Sequence, residues 1–180
     1  MAVTRDRNRS NRPPYDAATL GDTALAYAAR FATSRAKLRA YLVRKVRERG
    51  WGEDRDPDYD ALVARMAVLG YVDDRAFASA RAASLGRRGY GEHRVGAALR
   101  AAGIGEEDGA DAKAEAQGRA WEAALRYAER RKIGPFAAEQ GDRAAREKAL
   151  AAMVRAGHPS GIARRLAWAA PGEIPEADSI

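Results

Sequence analysis

The clearest fold signal lies at residues 70–104, which have the sequence GYVDDRAFASARAASLGRRGYGEHRVGAALRAAGI. Asp73 stands before a segment without proline, and an aspartate in that position accepts hydrogen bonds from the first amides of a helix. The residues predicted to face inward from this helix are Phe77, Ala80, Ser84 and Leu85. A glycine-rich turn follows, and a second helix with Val95, Ala98, Leu99 and Ala102 ends at Gly103. The stretch therefore predicts two helices joined by a tight turn.

Helices of the same kind lie on both sides of this stretch. One has Leu38, Leu42 and Val46 at fourfold spacing, begins after Thr33 or Ser34 and ends at Gly50; another has Ala149, Leu150, Met153 and Ala156 and ends at Gly157. The three terminal glycines are 53 and 54 residues apart. Equal spacing of similar helices predicts an internal repeat of about three helices per unit.

Apolar periodicity predicts the remaining helices. These lie at residues 17–31, at 59–69 with Tyr59, Leu62, Val63, Met66 and Leu69 on one stripe, and at 106–116, 121–128 and 159–169. The predicted organisation is a flexible basic arm at 1–14, three-helix repeats at 15–70, 71–117 and 118–170, and a frayed tail at 171–180.

The composition restricts the fold class. Of 180 residues, 43 are Ala and only 27 are Leu, Ile, Val or Phe, and there is no Cys. Buried parallel sheets need long Val, Ile and Leu runs, and a membrane span needs about 20 consecutive apolar residues; this chain has neither. Three all-α repeats with thin cores, stabilised by stacking on their neighbours, are therefore predicted to form an elongated, curved array.

Positive charge indicates an anionic partner. The net charge is +7, and Arg outnumbers Lys 27 to 5, which is typical of a nucleic-acid-associated protein but also of an arginine-rich proteome. The absence of cysteine and of a targeting segment predicts a cytoplasmic protein. The candidate contact residues are Arg35, Lys37, Arg39, Arg44, Arg47, Arg87, Arg88, His93, Arg94, Arg126, Arg130, Arg131, Arg146 and Arg164.

Two short motifs have a functional and a structural interpretation. Asp73 and Asp74 are adjacent carboxylates, but neighbours on a helix do not face each other, so a helix cap explains them better than acid–base chemistry. The sequence Gly86-Arg87-Arg88-Gly89 matches the GXXG loop that clamps phosphates in KH domains. KH domains also need strands, and no segment predicts one, so a basic turn between helices is the better interpretation.

No pattern indicates catalysis or cofactor binding. The two histidines, His93 and His158, have no ligand-spaced partners, and neither a phosphate-binding loop nor a nucleophile elbow is present. Trp51, Trp121 and Trp168 are predicted to fill gaps between helices rather than to stack on bases. We therefore expect no enzyme activity, no metal and no cofactor.

The segment 70–104 resembles the RecX family of bacterial recombinase regulators. The matching residues are Gly70, Tyr71, Val72, Asp73, Asp74, Phe77, Ala78, Gly89, Gly91, Gly103 and Ile104. Residues 30–51 resemble the family's first repeat, and residues 121–168 resemble its third more loosely. Family members often carry Arg directly before the Phe, where this chain has Ala76, with Arg75 one position earlier.

The resemblance implies three tandem three-helix repeats that bind the RecA recombinase filament on single-stranded DNA. Such a protein would lie in the filament groove, modulate and most often inhibit its assembly, strand exchange and coprotease activity, and take part in DNA repair and the SOS response. Contact with the DNA itself would be indirect, with direct contact left open, and a monomer is expected. The alternative function is a sequence-specific DNA-binding protein of helix-turn-helix type.

Overall fold

Residues 12–177 are described by the computed structural model, and in this range the chain is all-helical, as predicted. The nine α-helices found there are α1 (Ala17–Arg30), α2 (Arg35–Arg49), α3 (Tyr59–Val68), α4 (Asp74–Arg87), α5 (Glu92–Ala101), α6 (Glu106–Gly118), α7 (Ala120–Arg131), α8 (Arg143–Arg155) and α9 (Ser160–Trp168). A short 3₁₀ helix, Gly134–Phe136, follows α7. Most of the predicted basic arm, residues 1–11, and the last three residues of the predicted tail lie outside the described residues.

The chain divides into two compact units, Met1–Phe77 and Ala78–Ile180, with the division inside α4. In the described part of the first unit, α1, α2 and α3 all contact one another. Their shared core is built around Leu20, Leu38, Leu42 and Met66, and Leu38 and Leu42 are fully buried. The residues predicted to form the inner stripe of α2 therefore pack against its two neighbours.

The second unit contains the rest of α4 and α5 to α9. Here α7, α8 and α9 contact one another around Tyr127, Met153, Ile162 and Leu166, while α6 contacts α5 and α7. Alanines contribute much of this core, because their small side chains let the helices approach closely. The repeat boundaries and the elongated, curved arrangement of three repeats stay predictions.

The predicted helix starts and stops agree with the structure. Ser34 caps α2 through a bond from the Lys37 amide, and Asp73 Oδ1 accepts from the Ala76 amide at 2.9 Å at the start of α4. Gly50, Gly103 and Gly157 have φ angles of 92°, 70° and 94°. Because that region of φ favours glycine, these residues end the helices where the sequence indicates.

The predicted inner face of α4 is confirmed at Leu85, which is buried, and wrong at Ala80, which is exposed. Ala78 and Ala82 are buried beside Leu85, and Ser84 is partly buried. The ring of Phe77 is partly exposed and lies 5.3 Å from the ammonium of Lys37. Alanines occur on every side of this helix, so the sequence does not indicate which of them face inward.

The apolar residues at the end of α3 also differ from the prediction. Leu69, expected on the inner stripe, is 54% exposed, and Tyr71, which follows the turn, is 44% exposed. Met66 and Val72, each 3% exposed, fill the core on either side of the turn. The turn thus directs Leu69 and Tyr71 outward while the residues flanking it pack inward.

Candidate basic interface

Some arginines of α2 form ion pairs with carboxylates of the same chain, and others do not. Arg39 Nε lies 2.7 Å from Asp60 Oδ1, and this hydrogen-bonded pair raises the pKa of Arg39 and lowers that of Asp60. Arg44 forms a weaker pair, 3.7 Å from Glu48. Within the described residues, the guanidinium groups of Arg35 and Arg47 have no carboxylate partner. The latter two are better placed to meet an external anion.

The turn between α4 and α5 brings two candidate arginines around one aromatic ring. The guanidinium carbons of Arg88 and Arg94 lie 5.3 and 5.8 Å from the centre of the Tyr90 ring. Both arginines are exposed, while Tyr90 is half-buried against the core of the second unit. We call Arg88, Tyr90 and Arg94 the central cluster. An aromatic ring flanked by two cations suits phosphate contact combined with base stacking, or an acidic protein surface.

Two arginines of α7 hold this turn in place. Arg126 donates to the carbonyl of Gly86 at 3.5 Å and to Glu122 at 3.2 Å, and Arg130 donates to the carbonyl of Arg88. Carbonyls at the C-terminal end of a helix lack intrahelical partners and carry partial negative charge, so cations stabilise them. Arg126 and Arg130 therefore help to fix the backbone of the turn that carries the central cluster, and both side chains are also exposed.

The remaining candidates are distributed over the second unit. Arg131 stacks near the Tyr127 ring at 5.8 Å, and Arg164 lies 5.6 Å from the ring of Trp168. Arg146 donates through Nε to the carbonyl of Gly141 at 2.9 Å, which gives it a structural role. Arg87 lines a cleft of about 290 Å³ whose wall also includes Tyr90 and Arg126, and His93 is exposed on α5. The structure thus places Arg88 and Arg94 beside the Tyr90 ring and Arg87 in the cleft that this residue also lines.

Two glycines bring the α4–α5 turn into backbone contact with the α8–α9 turn. The Gly91 amide donates to the Ala156 carbonyl at 3.0 Å, and the His93 amide donates to the Gly157 carbonyl at 3.1 Å. A Cβ on Gly91 would lie 2.2 Å from the carbonyl oxygen of Gly157. Glycine is required here because the two backbones touch. The GXXG stretch, Gly86 to Gly89, forms the end of α4 and the turn after it, and a Cβ on Gly89 would lie 2.9 Å from the backbone nitrogen of Tyr127.

A buried histidine lies beside this contact. His158 is 1% exposed, its ring centre is 5.3 Å from that of Tyr127, and neither ring nitrogen has a hydrogen-bond partner of normal geometry within residues 12–177. Burial lowers its pKa to about 4, and the nearby backbone of Gly89 opposes this shift only in part. The imidazole is therefore neutral at pH 7. No group of three or more metal-ligating side chains occurs within the described chain.

The structure assigns separate tasks to the two adjacent aspartates. Asp73 caps its own helix, whereas Asp74, 6% exposed, accepts from the backbone amide of Arg35 at 2.8 Å. That amide belongs to the first residue of α2, where amides have no partner within the helix. No sequence pattern indicates this link, because the partners are 39 residues apart. Tyr90 was not among the predicted contact residues, although an aromatic residue between arginines in RRGYGEHR is a signal of such a site.

Together these features define an all-helical protein whose surface arginines surround aromatic rings. No protein-family model matches the chain. It is 32% identical over 175 residues to "Regulatory protein RecX" of Myxococcus xanthus strain DK1622, covering 89% of this chain and 88% of that protein. A solved structure titled "Crystal structure of regulatory protein RecX" has a TM-score of 0.63 and 19% identity, covering 83% of this chain and 71% of the other. The chain belongs to the RecX family of regulatory proteins.

No helix in the described part of the chain is both long and apolar enough to cross a lipid bilayer.

Proposed function

We propose that the protein binds the RecA recombinase filament on single-stranded DNA and inhibits its assembly, strand exchange and coprotease activity. The proposal rests on membership of the RecX family, established by 32% identity over 89% of the chain. The protein would act as a cytoplasmic monomer in DNA repair and the SOS response, by binding alone and without a catalytic step or cofactor.

The basic surface supports an anionic filament as the partner. The net charge is +7, and the central cluster presents two exposed guanidinium groups beside one tyrosine ring. Cations near phosphates raise affinity and association rate, and both effects weaken with salt. A regulator shifts the filament only if it binds one filament state more tightly than another. We propose that occupation of the favoured filament state blocks growth or strand pairing.

The proposed function is tested with the recombinase encoded by the same genome, assembled on single-stranded DNA. Stoichiometric amounts of the protein should reduce both ATP hydrolysis and strand exchange. If both rates stay unchanged, the proposal is wrong. If the protein instead binds one duplex sequence far more tightly than others and ignores the recombinase, the helix-turn-helix alternative is correct.

A charge-reversal pair tests the central cluster within this function. Arg88→Glu with Arg94→Glu should weaken inhibition of strand exchange by about thirtyfold, since two charge-assisted contacts of about 1 kcal/mol each are lost. The matched control is Arg81→Glu with Arg155→Glu, two exposed arginines outside the candidate set. Equal inhibition by both double variants would remove the central cluster from the interface and reduce its role to general charge.

A further inference from the structure

Three large apolar side chains are exposed together at the end of α3. Val68 is 88% exposed, Leu69 54% and Tyr71 44%, and we call these residues the α3 patch. The chain has only 27 Leu, Ile, Val and Phe residues in all, so large apolar side chains are scarce in its core. Exposing several large apolar side chains to water at one turn gives up the stabilisation that their burial would add to a small core. Folding alone therefore does not account for the α3 patch.

The turn that carries the α3 patch is held without these side chains. The Gly70 amide donates to the Ala67 carbonyl and the Tyr71 amide to the Met66 carbonyl, both at 2.9 Å. This pair of bonds closes the end of α3, and Gly70 supplies the positive φ of 76° that it requires. The outward side chains are thus available for contact with another molecule.

A groove continues from the α3 patch between α2 and α3. Its volume is about 590 Å³, and Val68 belongs to both the groove and the patch. Small apolar side chains supply much of its lining, namely Ala36, Val63, Ala64 and Ala67. A groove with small side chains next to exposed large ones has the form that accepts the apolar ridge of an amphipathic helix.

The charges at the groove indicate which helix fits. Arg35 lines it with no carboxylate partner among the described residues, whereas Arg39 is already paired with Asp60. An occupant therefore gains from an apolar face bordered by a carboxylate that can reach Arg35. Nucleic acid suits this surface poorly, because phosphates would pair with arginine but leave Val68 and Leu69 against a charged, hydrated backbone.

We propose that the α3 patch and the groove beside it form a docking site for an acidic amphipathic helix of a protein partner. The identity of that partner rests on the proposed function, which makes it a protomer of the recombinase. Apolar anchors in the site would supply the affinity, and Arg35 would set the orientation of the helix. This contact is distinct in chemistry from the arginine-rich central cluster.

The test compares two double variants of the full chain. Val68→Ser with Leu69→Ser removes the apolar anchors, and Leu25→Ser with Val154→Ser removes the same residue types at positions that are 38% and 45% exposed. Binding is measured separately to the DNA-free recombinase and to single-stranded DNA, and thermal unfolding checks that each variant is folded. Arg35→Gln provides a third variant, in which glutamine preserves helix propensity and removes the charge.

The first double variant should bind the DNA-free recombinase at least about tenfold more weakly, because both large apolar anchors are lost. Arg35→Gln should weaken recombinase binding by about threefold, and the control variant should change it by less than about twofold. The two double variants should keep the wild-type affinity for single-stranded DNA to within about twofold. Wild-type affinity of the first variant for the recombinase overturns the docking site but not the proposed function. A wild-type protein that fails to bind the recombinase and to inhibit it overturns both. If the wild-type protein is a dimer and the first double variant is a monomer, the site is occupied by a second copy of the chain, and the proposal of an acidic helix is overturned.

Discussion

Replacing Gly91 with alanine should strongly destabilise the second unit. Gly91 has φ of −78°, which alanine adopts without strain, so the effect would be purely steric. The added Cβ would lie 2.2 Å from the carbonyl oxygen of Gly157, 2.3 Å from its carbonyl carbon and 2.5 Å from the His158 nitrogen. All three atoms are backbone, so no side-chain rotation relieves the contact, and the two turns must separate by about 1 Å to reach ordinary van der Waals distance.

The expected loss of stability follows from the hydrogen bonds that this separation of the two turns would break. The hydrogen bonds from Gly91 to Ala156 and from His93 to Gly157 would both lengthen beyond normal geometry. Losing them costs about 1 kcal/mol each, and overpacking adds about 1–3 kcal/mol. We therefore expect Gly91→Ala to lower the free energy of unfolding by about 3–5 kcal/mol.

The assay is urea unfolding followed by circular dichroism, with Gly86→Ala as the matched control in the same turn. A Cβ on Gly86 meets nothing within 4 Å, and the residue is helical, so alanine should raise stability by about 0.5–1 kcal/mol. A loss below about 1 kcal/mol for Gly91→Ala would refute the backbone contact between the two turns.

Two further predictions concern buried polar groups. Because the folded pKa of His158 is about 4 and its usual value is 6.5, the unfolded chain binds the proton more tightly. The free energy of unfolding should be highest above pH 6.5 and fall by up to about 3 kcal/mol between pH 6.5 and 4. In His158→Gln it should depend less on pH; urea midpoints that fall equally with pH in the two proteins would contradict this. Asp74→Ala removes the acceptor for the Arg35 amide and should lower the free energy of unfolding by about 1–2 kcal/mol in urea unfolding. The control Asp22→Ala, at an exposed position, should lower it by less than about 0.5 kcal/mol, and equal losses would contradict the cap that Asp74 provides to α2.

Local features of the fold were predictable from the sequence. The cap residues Ser34 and Asp73 and the terminal Gly103 act within three or four residues of themselves, so their patterns are visible without tertiary information. The choice of inward alanines on α4 was not predictable in the same way. Its alanines occur on all sides, and only packing against other helices determines that Ala78 and Ala82 are buried while Ala80 is exposed.

Contacts between distant parts of the chain could not be predicted. Asp74 reaches the amide of Arg35, and Gly91 touches Gly157, across separations that no periodicity records. The exposure of Leu69 likewise depends on how the turn after α3 points, which the apolar stripe of the helix alone does not determine. Each of these features is set by tertiary packing overriding a local preference.

The arginines show why the candidate interface was the least predictable part. In sequence they form one class, but the structure engages Arg39 with a carboxylate and Arg126, Arg130 and Arg146 with backbone carbonyls. A guanidinium already bound inside the fold gains less from an external phosphate, because the new contact must replace an existing one. Long arginine side chains can also cover apolar surface, and the guanidinium groups of Arg130 and Arg165 lie over the rings of Tyr127 and Trp121. The better candidates for a partner are the arginines whose guanidinium groups have no acceptor among residues 12–177. Arg88 and Arg94 are two of these, and the fold places both beside the ring of Tyr90.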